Sequence, residues 1–240
     1  MENDALNEKV AAISDELGKS SLIVPELTIF NKVLLSADMK DASVFFGTGL
    51  VAGKKLTQGL PFDFMGYLLA AERARRAFGL GSIVHLIADN HAKHETPEHA
   101  QEIAVLAENI KAACAKVAAK LGLGDKYTVI LASEFHDTPS FKALQTQTSG
   151  VEELGIPAQA VNYLKTQLTD MEYLRRHHNA VVKLSWVLDR KVLRGSGGFD
   201  EKFFDNAYAR IFGDNLSYVY TLSGRTFDSS RPRSSPYVAT

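Results

Sequence analysis

Six hydrogen-bonding side chains crowd one short stretch of this chain: Asp89, Asn90, His91, Lys93, His94 and Glu95 follow directly on the apolar run 83–88. A carboxylate such as Asp89 can hold a substrate ammonium, and an imidazole such as His91 can relay a proton near neutral pH. The run before them is almost unbroken in its apolar character, as a strand buried on both faces of a parallel sheet is. Open α/β sheets bind ligands outside the carboxyl ends of their strands. Asp89, Asn90 and His91 are therefore expected to point into a crevice. Thr96-Pro97-Glu98 starts the next helix, with Thr as N-cap and Pro at the first helical position. Capping needs one polar residue and does not account for six.

Other groups able to do chemistry are spread along the chain. Gly47-Thr48-Gly49 follows the apolar run 43–47. Glycines there let the backbone approach a ligand closely. The segment is neither a Walker loop, which needs Gly-Lys-Ser/Thr, nor a GxGxxG fingerprint, because Ala52 and then Gly53 follow. Ser133, Glu134, His136 and Asp137 end a third run, 127–132. Gly197 and Gly198, with Asp200 and Glu201, lead into a helix whose free N–H groups suit an anion. No metal site is expected. Adjacent His177 and His178 point about 100° apart on a helix, and His91 and His94 lack a third ligand fixed by spacing. Arg73, Arg75 and Arg76 late in the helix 62–78 suit its dipole and read as a solvated face. With Lys111, Lys116, Lys120, Arg175 and Arg176 they are the helix-borne cations that could meet nucleic acid.

The elements that must position these groups follow from periodicity. The 240 residues are 45% hydrophobic and 23% charged, enough for one large α/β domain with a sizeable core. The net charge of −1 steers the chain toward neither nucleic acid nor membrane in bulk. A lone cysteine, Cys114, excludes an intrachain disulfide, and no apolar run approaches the length of a membrane span. Without a basic N-terminal region the expected compartment is the cytoplasm. Residues 1–40 read as an N-terminal helical extension, 41–228 as a Rossmann-like catalytic domain, and 229–240 as a Ser/Arg/Pro-rich tail. Helices are expected over 62–78, capped by Asp63, and over 98–121. The span 151–187 is expected to be mainly helical with a break near Pro157, and a last strand is expected over 216–222. Strand, glycine turn, helix, strand, helix, strand is the start of a doubly wound parallel sheet. The fold class is α/β.

At this point the order of pieces resembles a known family. Residues 85–92, His-Leu-Ile-Ala-Asp-Asn-His-Ala, look like the second-strand signature of class I aminoacyl-tRNA synthetases of the tyrosyl/tryptophanyl type. Tyr127 onward, ending Ala-Ser-Glu134-Phe, is similar to their next strand. Gly197-Gly198-Phe-Asp200-Glu201 resembles their Gly-Gly-x-Asp-Gln segment. Arg231-Pro-Arg233-Ser234-Ser235 lies where the Lys-Met-Ser-Lys-Ser loop would fall, which implies contacts to tRNA or phosphate. The resemblance implies a Rossmann-like, synthetase-like domain with helical additions. Its amino-acid site would draw on Gly47, Gly49, Asn90, Glu134, Gly197, Gly198, Asp200 and Glu201. The family's tyrosine-reading helix carries Tyr, Gln and Asp four and three residues apart. Set by distance to Gly197, those places fall near Asn179, Lys183 and Trp186.

The departures point to a narrower relative. The family's His-x-Gly-His signature, which contacts ATP, falls at Phe64-Met65-Gly66-Tyr67, and both loop lysines are missing. No anticodon-binding domain is expected after Thr240. Cyclodipeptide synthases look like a synthetase domain stripped in this way, and take amino acids already activated on tRNA. Residues 133–144 resemble their layout after the third strand. Their nucleophile is a serine in Gly-x-Ser, which places Thr48 in that role here. Their Tyr-x-x-x-Glu pair is nearest to Trp186 and Asp189. The implied catalytic set is Thr48, Asp89, His91 and Asp189, with no cofactor. Aminoacyl-tRNA and amino acids are the expected partners, with no membrane, and a homodimer is allowed. Two other functions stay open: a free-standing ligase that still uses ATP, with Arg231 and Arg233 replacing the lysines, and a non-catalytic domain that binds tRNA or a partner.

Overall fold

A computed structural model describes residues 27–30, 39–49, 60–89, 96–155, 158–185, 201–213 and 217–221. Its strands are β1 (Leu27–Phe30), β2 (Ser43–Gly49), β3 (Ser82–Ala88), β4 (Tyr127–Leu131), β5 (Ala180–Ser185) and β6 (Ser217–Thr221). Its α-helices are α1 (Leu60–Phe78), α2 (Pro97–Lys120), α3 (Pro139–Gln147), α4 (Ala158–His178) and α5 (Glu201–Phe212). The sheet order is β1-β6-β5-β2-β3-β4. β2 to β6 are mutually parallel, and β1 runs antiparallel on β6. This is the doubly wound α/β sheet that the alternation of runs predicts. From β2 the chain first winds outward through β3 and β4, then returns to place β5 on the other side of β2.

Burial explains the central position of β3. Ile83, Val84, Leu86 and Ile87 are each at most 5% exposed, so both faces of the strand need cover. On one face Val44, Phe46, Ile83, Val182 and Leu184 pack against Leu68, Leu69 and Ala71 of α1 and Val117 and Ala118 of α2. On the other, Phe45, Val84, Leu86 and Ile130 meet Phe141 of α3, Leu164, Leu168, Met171 and Leu174 of α4, and Tyr208 of α5. α2 begins where the Thr-Pro pair predicts, with the Thr96 hydroxyl accepting from His99 N at 3.3 Å.

Four expectations change. Residues 27–30, placed in a helical extension, form strand β1 at the sheet edge. Gly47, Thr48 and Gly49 are not a turn after a strand but the last three residues of β2, paired with Leu86, Ile87 and Ala88. α1 starts at Leu60, so Asp63 lies inside its first turn and not at its cap. The span 151–187 is not mainly helical to its end, because 180–185 is strand β5. Val182 and Leu184 face one way and Lys183 the other, a period of two that a lysine in mid-strand disguises.

Candidate active site

Reversal of winding at β2 makes the crevice between the carboxyl ends of β2 and β5 the switch point, where open α/β sheets bind ligands. Gly47 is exposed there, although it lies in a central strand and Phe45 two residues earlier is 3% exposed. Among the described residues, a Cβ at Gly47 would meet nothing nearer than Leu86 O at 3.9 Å. The α4 side of the sheet is therefore open at this level. Thr48 faces the opposite side and is half-buried.

The Thr48 hydroxyl lies 2.7 Å from His85 Nε2, and His85 Nδ1 lies 2.7 Å from the Tyr127 hydroxyl. The Phe46 ring stacks on the imidazole at 4.3 Å. His85 is wholly buried, and burial pushes its pKa down to about 3, so the ring is neutral. Burial pushes the Cys114 thiol up to about 11, against a hydrogen bond from Tyr127, and raises the Tyr127 phenol as well. His85, Tyr127 and Cys114 are thus all uncharged over the physiological range.

The other expected residues are distributed differently. Asp89 is 6% exposed, and its two oxygens accept from Ser133 N at 2.9 Å and Ser133 Oγ at 2.5 Å. Its carboxylate joins the end of β3 to the turn after β4. Glu134 is exposed, accepts from Lys111 Nζ, and closes its own turn by accepting from Leu131 N at 3.3 Å. Asn179 lies at the wrong end of the sheet for the crevice: it links α4 to the start of β5 with φ 46° and donates to Asp41 O at 3.2 Å. Lys183 is in β5 beside Phe45 of β2, 6% exposed, with Nζ 3.7 Å from Met171 Sδ. Glu201 opens α5. Asn90, His91, Trp186, Asp189, Gly197, Gly198, Asp200, Arg231, Arg233, Ser234 and Ser235 lie outside the described residues.

Neither Asn179 nor Lys183 belongs to a tyrosine-reading helix, since α4 stops at His178. The Tyr, Gln and Asp spaced four and three apart occur instead at Tyr163, Gln167 and Asp170 in α4, on one helix face. Scanning for the spacing itself would have found them; measuring back from Gly197 did not. α4 runs back along β5. Gln167 stands about 16 Å up the helix from His178, the height of Ser185 above Ala180 in a strand, about 16 Å. Gln167 is therefore level with the carboxyl ends, Tyr163 about one helical turn beyond them, and Asp170 deeper. Asp170 is 3% exposed, with Oδ1 2.7 Å from His136 Nε2. The line from Thr48 through His85 to Tyr127 was not expected from the sequence either. The signal for His85 was a single imidazole inside an otherwise apolar strand.

Among the described residues no three His, Cys, Asp or Glu side chains converge as a metal site. No helix among them is long and apolar enough to cross a membrane.

No protein-family model matches the chain, and no curated protein matches it. Solved structures with a similar fold are tyrosyl- and tryptophanyl-tRNA synthetases and a cyclodipeptide synthase. The tyrosyl-tRNA synthetase complexed with L-tyrosine from Pyrococcus horikoshii is 13% identical, with a TM-score of 0.45 over 76% of this chain and 52% of that one. The Archaeoglobus fulgidus enzyme with L-tyrosine is 16% identical, with a TM-score of 0.49 over 80% of this chain and 60% of that one. Cyclo(L-leucyl-L-phenylalanyl) synthase is 11% identical, with a TM-score of 0.46 over 82% of this chain and 98% of that one. The chain thus spans between half and two thirds of the two archaeal synthetases.

Proposed function

We propose that this chain is an enzyme that takes aminoacyl groups already activated on tRNA and joins them, in the manner of a cyclodipeptide synthase. The observation that carries this reading is Thr48. Its hydroxyl stands at the carboxyl end of a central strand, at the switch point, one residue beyond a glycine that leaves the other face of the sheet open. An activated ester needs only a positioned nucleophile and stabilisation of the carbonyl oxygen. Adenylate formation also needs hydrogen bonds and cations on phosphate. The Phe64-Met65-Gly66-Tyr67 segment of α1, at the place of the family's ATP signature, supplies neither imidazole nor cation. Aminoacyl-tRNA and free amino acids are the partners of this reading. ATP belongs only to the ligase alternative.

The test is amino-acid-dependent pyrophosphate exchange, run with each of the twenty amino acids, beside product formation from charged tRNA. Exchange is expected to stay at background, and charged tRNA to yield a dipeptide product that Thr48→Val reduces at least a hundredfold. Robust exchange with a single amino acid would replace this reading with the ATP-dependent ligase.

A further inference from the structure

Thr48, His85 and Tyr127 form a line. His85 pairs with Phe46 across β2 and β3, and Thr48 is two residues further along the same face of β2. Tyr127 in β4 pairs with Ile83, two residues before His85 in β3. The three polar groups therefore run diagonally across three parallel strands, from the carboxyl end of β2 into the core. Only the first of them stands at the carboxyl end of its strand, where it is half-buried. Both ring nitrogens of His85 are within 2.7 Å of a hydroxyl, so the ring has a fixed direction from both sides. Phe46 stacked on its face prevents it from tipping.

We infer that His85, held from behind by Tyr127, is a positioning residue that fixes the rotamer and hydrogen-bond direction of the Thr48 hydroxyl toward an acyl carbon. This rests on the reading that Thr48 accepts an acyl group. A β-branched hydroxyl at a strand end has more than one staggered χ1 well, and a threonine free to turn would spend part of its time with its oxygen in another of them. The hydrogen bond to Nε2 removes that freedom. Near-attack geometry is what such orientation contributes. The step itself balances without charging the ring: the Thr48 Oγ1–carbon bond forms, the bond from that carbon to the ribose oxygen of tRNA breaks, and the hydroxyl proton ends on the departing oxygen. A ring whose pKa is about 3 is a poor place to store that proton, so its work is orientation.

The variant is chosen so that the buried imidazole and the phenol behind it leave together. His85→Phe alone strands the buried Tyr127 hydroxyl, whereas His85→Phe with Tyr127→Phe replaces both partners by rings of similar volume and is expected to fold. Reactivity is read with a fluorophosphonate ester, which needs no tRNA: a Thr48 Oγ1–phosphorus bond forms, the phosphorus–fluorine bond breaks, and fluoride and the proton leave to water. Wild type should be labelled at Thr48, located by peptide mass. The double Phe variant should label at least tenfold more slowly at an unchanged thermal midpoint, and His85→Gln, which keeps an acceptor for Thr48, should recover part of the rate. With charged tRNA the double variant should lose kcat and keep KM. Equal labelling of wild type and the double variant, or no labelling of wild type, overturns the proposal. A wild type that is labelled at Thr48 but makes no product from charged tRNA leaves the positioning of Thr48 by His85 standing and removes the tRNA-dependent reading.

Discussion

The two ends of the parallel sheet treat their polar residues in opposite ways. At the amino ends, where α1 and α4 finish, the same pattern occurs twice: Glu72-x-x-Arg75-Arg76 and Glu172-x-x-Arg175-Arg176. In both, the glutamate side chain is 0% exposed and is gripped by the arginines three and four residues on. Arg75 donates through Nε and Nη2 at 2.6 and 2.9 Å, and Arg76 Nε donates at 2.6 Å. Arg175 and Arg176 repeat this at 2.8, 2.9 and 2.5 Å, and Tyr208 of α5 donates to Glu172 as well. Burial alone would raise both carboxyl pKa values, yet the arginine hydrogen bonds and charges hold them below the usual range. The neighbouring turn is packed without slack: a Cβ on Gly81 would sit 1.7 Å from Lys40 O. At the carboxyl end of β2 the same sheet offers the Thr48 hydroxyl and an exposed glycine, with a neutral imidazole deeper in the core, and at the end of β3 a carboxylate held by Ser133. The lesson is that the arginines most available by sequence are already engaged by glutamates of their own helices, at the end of the sheet away from the crevice.

The strongest way to break this comparison is to cut a clamp. Glu172→Ala leaves two guanidinium groups and the Tyr208 hydroxyl without their common acceptor, and should cost about 3–5 kcal/mol. Glu72→Ala, with no tyrosine in its clamp, should cost about 1 kcal/mol less. Urea unfolding measures both, and a loss below about 1 kcal/mol in either would deny these clamps a structural role.

Acid comes next. His85 has a folded pKa of about 3 against an ordinary value of about 6.5. Between those values the unfolded chain binds a proton that the native chain does not, so stability is full above about pH 6.5 and falls as the pH is lowered. From pH 7 to 5 the loss should be about 2 kcal/mol. The His85→Phe/Tyr127→Phe variant should lose about that much less over the same interval. An equal pH dependence would mean that His85 is not held neutral.

Asp89→Asn is the intermediate case. It keeps the volume but weakens the bonds from Ser133 N and Oγ, and about 1–2 kcal/mol should be lost. If thermal stability were instead unchanged while product formation vanished, Asp89 would join Thr48 as a substrate-binding group.

The smallest effect belongs to the outer arginines. Arg76 and Arg176 side chains are 41% and 46% exposed, and each change to alanine should cost no more than about 1 kcal/mol. Affinity for charged tRNA should stay within about twofold. A clear drop, with a shallower salt dependence, would place tRNA across the amino end and undo the contrast between the two ends.

How much of this was legible in the chain differs from residue to residue. The run 83–88 is apolar enough to read as a doubly buried strand, and β3 is that strand. Thr96-Pro97 reads as a helix start because the cap is a local bond between neighbours. β5 was not legible, because Lys183 interrupts the apolar pattern and only packing beside β2 and α4 accommodates it. Nor was the engagement of Asp89 by Ser133, which depends on β3 and β4 being adjacent, 44 residues apart in sequence. The spacing of Tyr163, Gln167 and Asp170 was present to be read, but its height on the sheet follows only once α4 is seen to run back along β5.

By itself the sequence determined the alternation of buried strands and amphipathic helices, hence a doubly wound α/β sheet, because burial on two faces and on one face leave different periods in the order of residues. It also determined which hydroxyls, imidazoles and carboxylates exist. Tertiary structure alone decided which of them meet. A hydrogen bond is satisfied within about 3 Å, and whether Thr48 stands that close to His85, or Asp89 to Ser133, depends on which strands are neighbours and in what register, which no local pattern of residues encodes.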